Sequence, residues 1–201
     1  MQDSTRLLFR AAADLIAEVG FDAATAAEIG RRAGFSRSMV RARFGSKQQL
    51  LEAILTETYE SLLLAAVPDS ASGLERVLAR IGATAALLEE SPALVRIIFT
   101  IEFQAAGNDS ALTEQVAHWV TSLRDDIRDA ITVGLADGSV RAGTDADSAS
   151  HGIVAEGIGT AFIWLVNPSD DMDLRVTQWR ERTLSLLGVV AGEVQVRASS
   201  D

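Results

Sequence analysis

Six cationic side chains, Arg31, Arg32, Arg37, Arg41, Arg43 and Lys47, lie within a stretch that holds no carboxylate. Guanidinium and ammonium groups at this density bind phosphate oxygens, and an arginine carried on a helix can also pair with guanine O6 and N7. The setting makes the cluster informative, because the 201-residue chain carries a formal net charge of −10. Residues 1–50 hold eight Lys/Arg against five Asp/Glu, a balance of +3, while residues 51–201 hold ten against 23, a balance of −13. An acidic remainder repels a polyanion, so contact with DNA is expected only through the N-terminal quarter.

The elements that must carry these cations are legible in the same stretch. Thr25-Ala26-Ala27-Glu28 has the form of a capping box, in which the hydroxyl accepts from the Glu28 amide and the carboxylate reaches back to the Thr25 amide. It predicts a short helix from Ala26 to Ala33 that buries Ile29 and Ala33. Gly34 follows where a chain leaves a helix at positive φ. Ser36 then suits the N-cap of a second short helix through Ala42 or Arg43, and Ser46-Lys47-Gln48-Gln49 forms another capping box that opens a third. Two short helices about a glycine-containing turn make a helix-turn-helix, whose second helix enters the major groove. The residues expected at DNA are Thr25, Arg37, Ser38, Met39, Arg41, Arg43 and Lys47. An arginine here can read guanine or clamp a phosphate, and the sequence leaves both open. Ahead of this unit, Leu8, Ala12, Leu15, Ile16 and Val19 recur at helical spacing. They predict an amphipathic helix over 4–19 that completes a small core with Phe21, Ile29, Val40 and Phe44.

Other chemistries find little support. The chain has no cysteine, which removes disulfides and thiolate metal sites and is compatible with a reducing cytoplasm. His118 and His151 fit no metal-ligand spacing. We find no paired-carboxylate motif, phosphate loop or nucleophile with a nearby base, so neither an enzyme nor a cofactor or metal site is expected. Asp3, Arg6, Arg10 and Asp14 interrupt the N-terminus too often for a signal peptide. The apolar run Ile153–Val166 is shorter than a membrane span and contains Glu156. A cytoplasmic location is therefore expected.

Beyond Leu51 helical periodicity persists without strand alternation. Helices are predicted at about 47–66, 73–90, 92–106, 110–136, 146–166 and 171–194, the prolines falling in the joints. The fold class is thus all-α: an N-terminal three-helix DNA-binding unit, then a C-terminal helical bundle, about nine helices in total. Residues 1–48 are assigned to the DNA-binding domain and 49–201 to an effector and dimerisation domain. Helix 146–166 is apolar on nearly all sides and must be covered on all sides. Packing of 146–166 and 171–194 on the same pair of a second subunit solves this, with Ala155, Gly159, Ile163, Val176, Trp179 and Leu187 as interface candidates. Two reading heads on a two-fold axis imply a near-palindromic operator.

Residues 5–51 resemble the DNA-binding domain of the tetracycline-repressor (TetR) family of bacterial transcriptional regulators. The resemblance rests on Ala12-Leu15-Ile16, Gly20-Phe21, Ala24-Thr25, Glu28-Ile29, Ala33-Gly34-Phe35-Ser36, Phe44, Ser46-Lys47 and Leu50-Leu51, in order and without a gap. The chain departs from the family at Arg41, where a phosphate-contacting tyrosine is usual, at Ala42, often a second aromatic, and at Gln48, usually glutamate. The resemblance implies a homodimer and an effector pocket among the central helices, whose occupancy alters the separation of the two heads. Candidate walls are Phe99, Phe103, Trp119, Leu123, Ile127, Phe162 and Trp164. Glu156 is the notable polar residue, able to meet a ligand, an arginine across the dimer or solvent. Apolar walls favour a small hydrophobic effector. The expected function is a ligand-responsive transcriptional regulator, a repressor released by that effector. The alternative is an all-α small-molecule-binding protein or enzyme whose basic head is not a specific DNA reader.

Overall fold

The computed structural model describes residues 2–19, 23–46, 49–50, 52–53, 56, 67–107 and 111–189. Among them are eight helices and no strand: α1 (Gln2–Val19), α2 (Ala26–Arg32), α3 (Arg37–Phe44), α4 (Gly73–Glu90), α5 (Pro92–Gly107), α6 (Ala111–Asp137), α7 (Ala146–Val166) and α8 (Met172–Leu186). The helix expected over 47–66 lies largely outside the described residues, although positions 49, 50, 52, 53 and 56 are helical. The chain divides into two compact units, residues 1–61 with 89–119 and residues 62–88 with 120–201.

In the first unit α1 packs against α2 and α5, and α2 against α3. The amphipathic face of α1 buries Leu8, Ala12, Leu15 and Ile16 as its spacing requires, with Ile29 and Val40 supplied by the two short helices. Phe9 adds an aromatic contact that periodicity did not single out, its ring centroid 6.3 Å from that of Phe44. Val19, expected in this core, is exposed because α1 ends there, and Phe21 lies outside the described residues.

The second unit is built on a continuous apolar cluster that includes Leu74, Val77, Ile81, Ile127, Ile131, Ile153, Val154, Trp179 and Leu187. Two approaches set its geometry. At the first, a Cβ on Gly73 would run into the backbone of Ala130 and Gly134, so the start of α4 touches the end of α6 main chain to main chain. The α4 amides are satisfied there by α6 and the turn after it. The Asp137 carboxylate accepts from the Gly73 N–H at 2.8 Å, and Ser139 Oγ accepts from the Leu74 N–H at 3.1 Å. The hydrogen bonds from Ser139 and Gly73 hold the Asp137 carboxyl below its ordinary range. Ser72 and Glu75 complete the start of α4 as a capping box, with the Ser72 N–H donating to Glu75 Oε2 at 2.7 Å and the Glu75 N–H to Ser72 Oγ at 3.3 Å. At the second approach, Gly157 of α7 leaves room for the Trp179 ring of α8, which would lie 2.6 Å from a Cβ there. Trp179 Nε1 donates to the Ile153 carbonyl at 3.1 Å, so the indole is both packed and satisfied.

Within the expected helix 171–194, α8 ends at Leu186, and residues 190–194 lie outside the described residues. Gly188 takes φ 72°, and the Val189 N–H returns to the Leu184 carbonyl at 2.9 Å, a left-handed glycine stop. The Leu187 carbonyl also accepts from the Arg141 N–H at 3.0 Å. By length and composition α7 is apolar enough to cross a membrane, which the shorter run Ile153–Val166 is not. Its Ile153, Val154 and Leu165 are instead buried inside the unit.

Candidate nucleic-acid interface

The turn between α2 and α3 is fixed by local hydrogen bonds. Thr25 caps α2 from an extended conformation, its hydroxyl accepting from the Glu28 N–H at 3.2 Å. The reciprocal half of that box is not made. The Glu28 carboxylate is held instead by Arg31, with Nε at 2.9 Å and Nη2 at 2.5 Å, and approaches Arg32 Nε at 3.5 Å. Gly34 takes φ 79°, and the Phe35 N–H donates to the Gly30 carbonyl at 2.7 Å, closing the helix end. Ser36 caps α3 by accepting from the Met39 N–H at 3.2 Å. Ser46 and Gln49 make both halves of their box: the Gln49 N–H donates to Ser46 Oγ at 3.1 Å and the Ser46 N–H to Gln49 Oε1 at 3.0 Å. The helices meet at Gly30, where a Cβ would fall 2.7 Å from Val40 Cγ2 and 3.2 Å from the Phe35 carbonyl oxygen. Sequence reasoning missed Gly30, since only the incoming Val40 shows why a glycine stands inside a short helix.

The cationic stretch is not uniform. Arg32 forms a two-pronged bond to Glu18 of α1, at 2.8 Å and 2.6 Å. Bonded to Arg31 first and then Arg32, the Glu28 carboxyl falls from its usual 4.5 to about 2. Glu18 is lowered by its bond to Arg32, and both arginines are raised by these carboxylates. The acids come from outside the stretch, so counting charge within it could not reveal that Arg31 and Arg32 are already engaged. On α3, Val40 is buried and Phe44 and Met39 are half-buried, whereas Ser38, Arg41, Ala42 and Arg43 are exposed. The Arg43 guanidinium carbon lies 5.6 Å from the Phe44 ring centroid, and Ser38 Oγ is 2.9 Å from Ser36 Oγ. Arg41 makes no ion pair with any described residue. Arg37 opens α3, but its side chain and Lys47 lie outside the described residues.

The effector candidates fall into separate groups. Phe99 and Phe103 stand one turn apart on α5 with centroids 6.2 Å apart, Phe99 buried and Phe103 58% exposed. Trp119 is half-buried beside the His118 ring. In the second unit Ile127 belongs to the apolar core, Leu123 packs against it, and Phe162 on α7 is 39% exposed. Glu156, whose partner the sequence left open, is bonded to Arg182 of α8 in the same chain. The interface candidates also divide. Ala155 and Ile163 are exposed, a Cβ on Gly159 would meet nothing within 4 Å, and Val176 is half-buried. Trp179 and Leu187, expected at an interface, are instead 3% and 0% exposed inside their own unit, so neither has surface to offer a partner. A helical stripe looks the same whether it faces its own core or another chain.

Two short helices, a left-handed glycine between them and an exposed arginine on the second define a helix-turn-helix protein. Residues 8–54 match the family described as bacterial regulatory proteins, tetR family, the segment that carries this helix-turn-helix. No curated protein sequence matches it. Solved structures share its fold along most of its length. A tetR-family regulatory protein from Rhodococcus RHA1 is 20% identical, with 93% of this chain and 98% of that one covered and a TM-score of 0.70. FadR from Bacillus subtilis, solved with stearoyl-CoA, is 16% identical over 92% and 98%, with a TM-score of 0.74. SmeT, solved with triclosan, is 21% identical over 91% and 90%, with a TM-score of 0.69.

Proposed function

We propose that this protein is a homodimeric, effector-responsive transcriptional repressor. Each α3 enters a major groove of a near-palindromic operator, and a small hydrophobic effector releases the DNA. In this reading residues 1–48 are the DNA-reading domain and 49–201 the effector and dimerisation domain, in the cytoplasm. Thr25, Arg37, Ser38, Met39, Arg41, Arg43 and Lys47 approach the duplex. The observation that carries the reading is the exposed, cation-bearing face of α3 on a helix-turn-helix whose inward face is fully occupied. A dimer is supported by the exposed apolar residues Ala155, Ile158, Ile163 and Val166 of α7, with Leu174 and Leu186 exposed on α8. An apolar face of this kind on a helix marks an interaction surface. A hydrophobic effector is supported by the aromatic candidates Phe99, Phe103 and Trp119, and by the stearoyl chain of the ligand solved with FadR and the triclosan solved with SmeT. The effector must bind the DNA-incompetent arrangement better, since differential affinity alone moves the equilibrium.

Gel shift against genomic fragments at several salt concentrations, with sedimentation of the free protein, tests this. Sequence-specific retardation by a dimer, weakening steeply with salt, is expected. Equal affinity for all fragments would sink the regulator reading, and a monomer at micromolar concentration would sink the interface.

A further inference from the structure

We infer that Arg41 reads a guanine, through its O6 and N7 in the major groove, so that the targets of this protein are guanine-bearing half-sites. The inference rests on the DNA-reading role proposed for α3 and goes beyond it by naming the base.

The outward face of α3 is unusually simple. Helical geometry advances about 100° per residue, so Ser38 and Ala42 lie opposite the buried Val40, and Arg41, one turn on from Ser38, stands beside them on the exposed side. Ser38 and Ala42 are short, which lets the helix axis come close to the floor of the groove. Among the described side chains Arg41 is the one long one on that face. The other arginines with described side chains are differently placed. Arg31 and Arg32 are held by Glu28 and Glu18, and Arg43 stands on the Met39 side of the helix against the Phe44 ring.

The chemistry of the face then limits what it can recognise. Adenine is read bidentately by an amide side chain, cytosine N4 by a carboxylate, and guanine O6/N7 by a guanidinium or ammonium. From Arg37 to Phe44 the sequence RSMVRARF holds no Asn, Gln, Asp or Glu. A forked acceptor pair is therefore the only base edge that α3 can grip with two bonds, and guanine alone presents it. A phosphate would equally satisfy Arg41; what favours the guanine is that α3 offers no other reader able to make two bonds to a different base.

The full-length protein should be used to select from a pool of randomised duplexes. The bound half-sites are expected to carry a fixed guanine, and Arg41→Ala to lose preference at that position alone. Replacing that guanine by 7-deazaguanine, which lacks N7, should weaken binding roughly 5- to 150-fold, the range for losing a bidentate base contact. Inosine, which keeps O6 and N7, should bind nearly as well. Arg41 is exposed, so the variant's melting temperature should match the parent's and rule out misfolding. The inference is overturned if Arg41→Ala weakens all sequences equally and lowers the salt slope by about one, the signature of a phosphate contact. It is also overturned if the selected half-sites hold only A·T pairs. A pool with no preference at all would instead overturn the regulator reading itself, and the two failures are distinct.

Discussion

The helix-turn-helix head and the second unit are both helical, but they are held together over different distances. In the head the defining contacts span three to five residues: Thr25 with Glu28, Ser36 with Met39, Ser46 with Gln49, Phe35 with Gly30. In the second unit they join residues far apart, as when Gly73 meets Asp137 and Trp179 meets Ile153. A head braced locally leaves its outer surface free of structural duty, and Ser38, Arg41 and Ala42 can vary with the DNA they meet. The second unit has less such freedom, because its buried residues answer to partners across the fold.

Substitutions break or sharpen this contrast, beginning with the most costly. Trp179→Ala removes the side chain seated against Gly157 and should destabilise the second unit by about 3–5 kcal/mol, the usual range for emptying a large aromatic site. Thermal unfolding followed by circular dichroism would measure it, and a loss below about 1 kcal/mol would mean that the site collapses. Next, Gly30→Ala places a methyl against Val40 and the Phe35 carbonyl. A cost of about 1–3 kcal/mol from overpacking is expected, together with weakened DNA binding, readable by denaturation and gel shift on the same sample. Ser46→Ala deletes one half of the second capping box and should cost about 1 kcal/mol. Its effect should be confined to the head, which amide hydrogen exchange resolves region by region.

The smallest effect concerns acid. Glu28 has a folded-state pKa depressed from 4.5 to about 2 by Arg31 and Arg32. Its contribution is therefore complete above about pH 4.5 and is lost as the pH falls through about 2. Both partners are exposed, so the stabilisation is slight. Glu28→Gln should flatten the pH dependence of the head in that window and lower its stability slightly at pH 7, where the contribution of the carboxylate is complete. Chemical-shift titration of the head would show it, and an unaltered profile would remove Glu28 from the account.

Much of the fold was legible because its signals are local. Pro92 opens α5, Asp145 caps α7 by accepting from the Asp147 and Ser148 N–H groups, and Ser72 with Glu75 boxes the start of α4. The limits of 73–90 and 146–166 therefore rest on signals within a turn. The helix-turn-helix was legible for the same reason. What escaped depends on partners distant in sequence. Glycines 30, 73 and 157 are required by a side chain or backbone arriving from elsewhere. Glu18 and Glu28 reduce the cationic stretch from outside it. Glu156 met Arg182 within its own chain, and Trp179 and Leu187 proved internal because periodicity measures apolarity without naming what covers it. The candidate site was thus readable at the level of its backbone, while its electrostatics needed the fold.

The contact between Gly73 and Gly134 has a consequence for divergence among relatives. Where two main chains touch without an intervening side chain, Gly73 cannot drift alone: an alanine there requires the helices to separate, which would also pull Asp137 from an amide 64 positions away, while a Cβ on Gly134 would meet Val140 and Ser139 of the next turn. Change at this junction must therefore come as a coordinated set or not at all. Across a collection of related sequences these positions should behave as a single inherited character, even while the reading face of α3 diversifies beside an unchanged turn.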